Sequence, residues 1–221
     1  MTFAPPFKNR ETAGRALALV LASRDLVNPI VLAMPRGGVP VAIEVAKQLR
    51  APLDFVFVRR IGVPGYEEVA MAAVVDGSSP ELVLNEDIAE RIKIPQSYIE
   101  QEKKAELREI ERRRREYAGL AAGPDISGRS VIIVDDGIAT GTSIRAAIKA
   151  LRRKTPRKLI IGVPVAPRDT VASLRSEVDE VVCLQTPEPF HAVGMHYEDF
   201  HQVSDEEIKE ALKQFRAGGS S

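Results

Sequence analysis

Two adjacent carboxylates, followed by a short run of glycine and hydroxyl residues, are the part of this sequence best suited to chemistry. Residues 131–143 read VIIVDDGIATGTS. As neighbours, Asp135 and Asp136 repel one another and lose hydration if buried, so the pair is best explained by a polyhydroxyl ligand or Mg²⁺ that satisfies both. The alternative is that both are turn and helix-capping residues after a strand.

The segment after the carboxylates has the composition of a phosphate site. Residues 131–134 predict a strand and 142–153 a helix, so the loop between them leads into a helix N-terminus. Free backbone N–H groups and the helix dipole attract an anion there, and Gly141 permits close approach. Further donors come from three hydroxyl side chains, those of Thr140, Thr142 and Ser143. A Walker A loop is excluded because no Gly-Lys-Ser/Thr follows.

A second glycine loop, PRGG at residues 35–38, directly follows a predicted strand at 30–34. Loops in this position lie at the carboxyl edge of an open α/β sheet, where ligands bind. Together with the acidic pair, Arg36, Gly37 and Gly38 form a candidate diphosphate loop. An ordinary proline-glycine turn is the alternative.

Residues 59–66, RRIGVPGY, follow the next predicted strand at 53–58. Two glycines and a proline disfavour regular structure, so we predict a mobile basic loop. A solvated surface loop without a role in the site is the alternative.

The three histidines of the chain, His191, His196 and His201, lie within eleven residues near the C-terminus. Their spacing is wrong for a preformed metal site, and the prolines and glycine among them predict a loop. This loop, at about 185–203, also contains Phe190 and Tyr197, which we select as aromatic faces that stack on a planar acceptor. The alternative is a loop that packs on its own aromatic side chains.

The elements that must position these residues alternate along the chain as strand, helix and strand. Five apolar runs predict strands, at 30–34, 53–58, 131–134, 159–165 and 178–184. Their continuous apolar character is typical of strands covered on both faces, so we predict an α/β fold with an open parallel five-stranded sheet, flanking helices and a small helical or hood addition.

A charged helix at about 95–118 is predicted to protrude from this core. Residues 100–116 contain seven basic and six acidic side chains. This near balance favours a solvated, ion-paired face over a nucleic-acid stripe.

The overall composition limits the remaining possibilities. The 221 residues, 44% of them hydrophobic, fit one domain at 1–216, followed by a flexible tail at 217–221. Lys plus Arg and Asp plus Glu each number 31, so no net field attracts nucleic acid or an anionic membrane. The only cysteine, Cys183, allows no disulfide within one chain. We expect a cytoplasmic protein without membrane spans, assembled as a homodimer.

The motif VIIVDDGIATGTS resembles the fingerprint of the type I phosphoribosyltransferase family: a four-residue apolar strand, two acidic residues and a loop ending in Thr-Gly-x-Thr/Ser. The resemblance implies that Asp135 and Asp136 bind the ribose hydroxyls of 5-phosphoribosyl 1-diphosphate. It also implies that Ala139, Thr140, Gly141, Thr142 and Ser143 surround the 5-phosphate. Mg²⁺ would be held mainly by substrate oxygens, with the two aspartates as candidate protein ligands.

The same resemblance assigns roles to the other loops. Arg36 would bind diphosphate beside a cis Pro35–Arg36 peptide, and the loop at 59–66 would close over the site with Arg60 or Tyr66. The implied reaction transfers phosphoribose to a nitrogenous, nucleobase-like acceptor and releases diphosphate. Two other functions remain open. One is a regulatory homologue that binds nucleotide and nucleic acid, for which residues 112–115 (RRRR) are the only support. The other is a phosphoribosyl-binding phosphohydrolase.

One residue inside the motif bears on the acceptor. Enzymes of this family that use 6-oxopurines carry an acidic residue where this sequence has Ala139. Hypoxanthine and guanine are therefore disfavoured, and the identity of the acceptor stays open.

Overall fold

The chain is built on a parallel sheet of five strands. The structure is a computed structural model, which describes residues 5–76, 81–84, 95–118 and 125–218, except for the side chains of residues 67–70. The strands lie in the order β2-β1-β6-β7-β8. Their bounds are β1 Ile30–Ala33, β2 Leu53–Phe55, β6 Ser130–Val134, β7 Lys158–Val165 and β8 Glu180–Gln185. The predicted α/β fold with a five-stranded parallel sheet is confirmed.

Successive residues of the central strands face opposite layers of the protein. On β6, Ile132 and Val134 belong to one apolar cluster, whereas Val131 and Ile133 belong to a second. All four side chains are fully buried. Both faces of the sheet are therefore covered, which explains why its strands are continuously apolar rather than alternating.

Six helices within the described residues form the two layers. They are α1 Arg10–Ala22, α2 Gly38–Leu49, α3 Gln96–Ala118, α4 Thr142–Arg152, α5 Arg168–Leu174 and α6 Asp205–Gly218. Residues of α1, α2, α3 and α6 pack in one cluster, and those of α4 and α5 pack in the other. Throughout the described part of the chain, no helix is long and apolar enough to cross a membrane.

The predicted mobile loop at 59–66 is wrong, because these residues belong to a β-hairpin. Strand β3 (Val58–Val63) pairs antiparallel with β4 (Tyr66–Val75), and β5 (Glu81–Leu84) pairs with β4 to complete a second, three-stranded sheet. Ile61 and Val63 are only 1% and 4% exposed, so burial of the apolar face of β3 stabilises the hairpin. Pro64 and Gly65 form its turn.

Helix α3 differs from the predicted protruding helix in one respect. Its outer face is ion-paired as expected, with Arg112 bonded to Glu109 and Glu116. Its inner face is part of the core, since Ile110 and Tyr117 are buried. Charged residues dominate the composition of this segment and conceal the apolar contacts, spaced seven residues apart, that hold it in place.

The C-terminal segment contains a helix, α6, that was not predicted from the sequence. Helix α6 buries Ile208 and Leu212 against the first apolar cluster. The predicted flexible tail at 217–221 is wrong for Ala217 and Gly218, which end this helix, and the rest of that tail lies outside the described residues. Within the predicted loop at 185–203, Gln185 ends β8, Val193–His196 form a 3₁₀ turn, and Tyr197 forms an isolated bridge to Phe7. The other residues of this segment are irregular.

Candidate functional site

The two predicted ligand loops meet where the strand order reverses. Strands β1 and β6 are parallel neighbours, with Ala33 aligned to Val134. From β1 the chain continues to β2 on one side, and from β6 it continues to β7 on the other. This is the topological switch point of an open α/β sheet, where ligands bind beyond the carboxyl ends of the strands. The PRGG loop and the acidic pair therefore lie side by side.

Close approach between the two loops requires the glycines of PRGG. A Cβ atom added at Gly37 would lie 2.0 Å from Oδ2 of Asp136. One added at Gly38 would lie 2.7 Å from the carbonyl oxygen of Val134 and 2.9 Å from Cα of Asp135. Real side chains do not tolerate such separations, so the bare backbone of PRGG forms one wall of the acidic site.

Arg10 is the counter-ion of the acidic pair, a role that no pattern in the sequence indicates. Its Nε atom donates to Oδ2 of Asp136 at 2.8 Å, and its Nη1 atom donates to the carbonyl oxygen of His201 at 2.9 Å. The guanidinium also lies 3.9 Å from the ring centroid of Phe200. Because the side chain of Arg10 is only 8% exposed, these contacts hold it in place.

Tyr197 supports the same aspartate from the C-terminal segment. Its hydroxyl donates to the backbone carbonyl of Asp136 at 2.5 Å, and its ring packs between Phe7 and Phe200. Because Tyr197 is only 6% exposed, the prediction that it offers an aromatic face to an acceptor is corrected. Its role in the described structure is to hold the backbone of the site.

Burial and mutual repulsion set the protonation of the two aspartates. Burial, and after it the neighbouring carboxylate, raises the pKa of Asp135 well above its usual range. Burial also raises the pKa of Asp136, while the hydrogen bond from Arg10 opposes that rise. The Oδ1 atom of Asp135 accepts the backbone N–H of Asp136 at 2.9 Å. The two carboxylates thus differ in their partners, because Arg10 bonds to Asp136 only.

The loop after the aspartates leads into the N-terminus of helix α4. Gly141 adopts φ +79°, a left-handed conformation, and directly precedes α4. The loop is fixed from α5, where the Thr170 hydroxyl donates to the carbonyl oxygen of Ala139 at 3.0 Å. Hydroxyl oxygens of Thr140 and Thr142 lie 3.1 Å apart. Thr142 and Ser143 are the first two residues of the helix, where amide groups lack partners within the helix.

Arg36 lies on the other side of a shared cavity. The Pro35–Arg36 peptide is cis, as expected. A cavity of about 350 Å³ is lined by Arg10, Arg36, Gly37, Asp136 and residues 200–203. The Nη1 atom of Arg36 is 4.0 Å from Oδ1 of Asp205, the first residue of α6. The carboxylate of Asp205 also accepts the hydroxyl of Tyr117 at 2.5 Å.

Three other predicted site residues are not joined to these loops. Arg60 and Tyr66 are exposed on the hairpin, Tyr66 by 72%, and among the described residues neither forms a hydrogen bond or ion pair with the two loops. Phe190 is partly buried and stacks on His196, with ring centroids 5.3 Å apart. Their roles in ligand binding stay predictions.

The donor set at the acidic pair suits a hard cation only in part. Carboxylate oxygens are the ligands that Mg²⁺ prefers, but one oxygen of Asp136 is already bonded to Arg10. In the portion of the chain that is described, no group of three or more His, Cys, Asp or Glu side chains is arranged to hold a metal ion. At the acidic pair, Asp135 and the second oxygen of Asp136 are the carboxylate oxygens not bonded to Arg10.

Comparison with known proteins agrees with this geometry. The profile of the family described as phosphoribosyl transferase domain matches residues 9–199. Two proteins of Mycobacterium tuberculosis, from strains CDC 1551 and H37Rv, are 42% identical over 202 residues, and their names assign them provisionally as phosphoribosyl transferases. The match covers 91% of this chain and 45% of each relative, so the chain spans about half the length of these curated proteins.

A solved structure extends the similarity to the whole fold. The crystal structure of TT1426 from Thermus thermophilus is 40% identical in sequence and has a TM-score of 0.81, covering 95% of this chain and 99% of that one. The matched residues of the family profile include Arg10, the PRGG loop, the acidic pair and the loop after it. The chain therefore belongs to the phosphoribosyl transferase domain family.

Proposed function

We propose that this chain binds 5-phosphoribosyl 1-diphosphate with Mg²⁺ and transfers the phosphoribosyl group to a nitrogen atom of a nucleobase-like heterocycle. The observation that carries the proposal is the switch point, where Asp135 and Asp136 lie between a phosphate loop and the PRGG loop. A sugar that carries phosphate groups at both ends needs this order of contacts: anion site, hydroxyl acceptors and a second anion site.

Each part of the site has one task in the proposed reaction. The start of α4, with Thr140, Thr142 and Ser143, anchors the 5-phosphate through backbone and hydroxyl donors. The carboxylates of Asp135 and Asp136 accept the ribose hydroxyls. Arg36 and the amides of the PRGG loop stabilise negative charge on the diphosphate.

The chemical step is a substitution at C1 of the ribose. A ring nitrogen of the acceptor forms a bond to C1, the bond from C1 to the diphosphate oxygen breaks with its electrons on diphosphate, and the nitrogen's proton passes to solvent. Positive charge develops on the ribose ring, close to the acidic pair, which stabilises it electrostatically. The protein contributes positioning and charge rather than a covalent intermediate.

Mg²⁺ enters the proposal as part of the substrate complex. When bound, it neutralises charge on the diphosphate leaving group. Asp135 and the free oxygen of Asp136 are the protein atoms that could contact it, directly or through water. The ion pair between Arg10 and Asp136 limits how many protein ligands the cation can have.

The acceptor is the least defined part of the proposal. Phe190 remains a candidate for stacking because it is partly exposed in the C-terminal segment, whereas Tyr197 is enclosed. Ala139 disfavours 6-oxopurines, since it cannot assist proton transfer at the base. We therefore expect hypoxanthine and guanine to be poor acceptors.

Donor binding is tested first by calorimetry with phosphoribosyl diphosphate and Mg²⁺. The double variant Asp135→Asn/Asp136→Asn should fold and lose measurable binding, because an amide has one acceptor oxygen in place of two and accepts a hydroxyl more weakly than a carboxylate does. Asp25→Asn, a change at an exposed carboxylate outside the site, is the control and should bind as the unmutated protein does. Unchanged affinity in the double variant would refute the proposal.

A screen of heterocycles with phosphoribosyl diphosphate and Mg²⁺, followed by diphosphate release, then identifies the acceptor. Release of diphosphate that depends on one heterocycle supports transfer to it. Hydrolysis of phosphoribosyl diphosphate without any acceptor would instead identify the chain as a phosphohydrolase. Analytical ultracentrifugation tests the expected homodimer.

The alternative of a nucleic-acid-binding regulator rested on the arginine run of α3. All four of those arginines contact carboxylates, three of them in pairs with Glu109 or Glu111 and one in a buried cluster. Their charge is therefore largely compensated within the protein. A binding assay with RNA and DNA at increasing salt tests this function, because phosphate contacts weaken steeply with ionic strength.

A further inference from the structure

Arg10 stands out because a buried arginine lies inside a site built from acids and bare backbone. It reaches Asp136 from a position 126 residues earlier in the chain. Its remaining contacts, with the carbonyl oxygen of His201 and the ring of Phe200, are made by the C-terminal segment. One side chain thus connects helix α1, the acidic pair and residues 200–201.

The charges of the site explain why such a cation is needed. Asp135 and Asp136 are adjacent and largely removed from water, and the donor in the proposed function carries phosphate groups at both ends. Without a resident cation, two carboxylates would repel that polyanion as well as each other. Arg36 lies across the cavity, 4.0 Å from Asp205, and so is not the partner of the pair.

The geometry also restricts which atom of Asp136 is available. Its Oδ2 atom is held by Arg10 and lies over Gly37, where a Cβ atom would approach it to 2.0 Å. The Tyr197 hydroxyl fixes the backbone carbonyl of the same residue. Asp136 is therefore held at both its side chain and its main chain, and its Oδ1 atom remains to accept a hydroxyl group.

We propose that Arg10 is a positioning residue of the phosphoribosyl site, which holds Asp136 by one oxygen and compensates its charge so that the acidic pair accepts a polyanionic donor. This inference rests on the proposed function and adds a residue to it. Arg10 acts through Asp136 and needs no contact with the donor. A purely structural role, in which Arg10 only holds residues 200–201 in place, is the competing explanation.

A double-mutant cycle separates the two roles. Calorimetry with phosphoribosyl diphosphate and Mg²⁺ compares the unmutated protein, Arg10→Gln, Asp136→Asn and the double variant. Loss of a charge-assisted pair predicts that Arg10→Gln weakens binding by about 10- to 100-fold. Asp136→Asn should leave binding measurable, because Asp135 and both loops remain. In that background, Arg10→Gln should change affinity by less than about threefold, since its partner is gone.

The conservative variant provides a second readout. Arg10→Lys keeps the positive charge with fewer directed hydrogen bonds, so it should bind about three- to tenfold more weakly than the unmutated protein. Thermal denaturation checks that each variant is folded. If Arg10→Gln fails to fold, the cycle is run with Arg10→Lys, whose effect should likewise vanish in the Asp136→Asn background.

Two outcomes would overturn the inference in different ways. Equal weakening by Arg10→Gln with Asp136 present or absent would assign Arg10 the structural role, while the proposed function would stand. Absence of donor binding in the unmutated protein would refute the proposed function and, with it, this inference.

Discussion

Among the described residues, two largely buried arginines each bond to aspartate, Arg10 to one and Arg114 to two, and their surroundings differ. Arg114 of α3 contacts Asp76 at 2.5 Å and Asp54 at 3.4 Å. Each of those aspartates also accepts a backbone N–H, from Phe57 at 3.2 Å and from Phe55 at 2.7 Å. This cluster joins β2, the hairpin and α3, and each of its aspartates accepts from both the arginine and a backbone N–H.

At the candidate site the corresponding arrangement is incomplete. Arg10 bonds to Asp136, and Asp135 accepts a single backbone N–H, from its neighbour. Asp136 lines a cavity of about 350 Å³, whereas Asp54 and Asp76 are almost fully buried. In the structural cluster the arginine bonds to both aspartates, whereas at the candidate site Arg10 bonds to Asp136 only and that residue lines a cavity. A shared cation and the nearly complete burial of both aspartates therefore distinguish the structural ion cluster from the site that can take a ligand.

The largest effect is expected from breaking the structural cluster. Arg114→Met leaves two buried carboxylates without their cation and should lower the free energy of unfolding by about 3–5 kcal/mol. Urea denaturation measures this change. Arg115→Met removes an arginine whose side chain is 80% exposed, and should change stability by less than about 0.5 kcal/mol. Similar losses of unfolding free energy in both variants would mean that the cluster around Arg114 stabilises the protein no more than an exposed ion pair does.

A smaller loss is expected from adding one methyl group at the site. In Gly37→Ala the new Cβ atom overlaps Oδ2 of Asp136, so the carboxylate must leave Arg10 or the PRGG loop must shift. Overpacking of this kind should cost about 1–3 kcal/mol in stability, and donor binding should weaken in parallel. Gly218→Ala, where a Cβ atom meets nothing within 4 Å, is the control. Full donor affinity in Gly37→Ala would contradict the described proximity.

Removal of the Tyr197 hydroxyl should have a still smaller effect. Tyr197→Phe keeps the ring between its aromatic neighbours but leaves the buried carbonyl of Asp136 without this donor. The expected loss of unfolding free energy is about 1 kcal/mol. Chemical denaturation measures it, and calorimetry with the donor should show a modestly weaker complex. An increase in donor affinity would indicate that the hydroxyl restrains Asp136 unfavourably.

The smallest effect concerns pH. His201 lies between two carboxylates, with Nδ1 2.9 Å from Asp199 and Nε2 2.8 Å from Glu207. Hydrogen bonds first to Asp199 and then to Glu207 raise the pKa of His201. The stabilisation is therefore complete below the unfolded pKa of about 6.5 and is lost as pH rises through the higher folded pKa.

This pH dependence should be small because solvent screens the exposed pairs. Melting temperature should fall slightly on raising the pH above about 6.5 in the unmutated protein. In His201→Gln the melting temperature should fall less over the same rise in pH. An identical pH profile in both proteins would show that the histidine does not contribute to it.

The sheet and its two ligand loops could be predicted because local sequence determines them. Strands such as β6 are continuously apolar, since both faces are covered. The acidic pair follows β6 directly, and Gly141 ends the short loop between this strand and α4, so their place at the carboxyl edge follows from the strand itself. Proximity of the PRGG loop follows in turn from parallel pairing of β1 with β6.

The hairpin and Arg10 could not be found in the same way. In residues 59–66, Pro64 and Gly65 resembled a loop signal, although a two-residue turn between paired strands uses the same residue types. Arg10 follows a helix N-cap residue, where an exposed side chain is the usual expectation. Its partners are 126 and 191 residues away, and no local pattern reports such contacts.

The distance along the chain between Arg10 and its partners has a consequence for the order of folding. The contacts around Asp136 join residues near 10, 136 and 200 through single side-chain hydrogen bonds, whereas the similarly distant pairing of β1 with β6 is held by a ladder of backbone hydrogen bonds. We expect these contacts around Asp136 to form after the sheet and to open before the sheet does during local unfolding. A ligand bound there would stabilise the region that otherwise opens first, and donor binding should slow hydrogen exchange in residues 197–204 more than in β6.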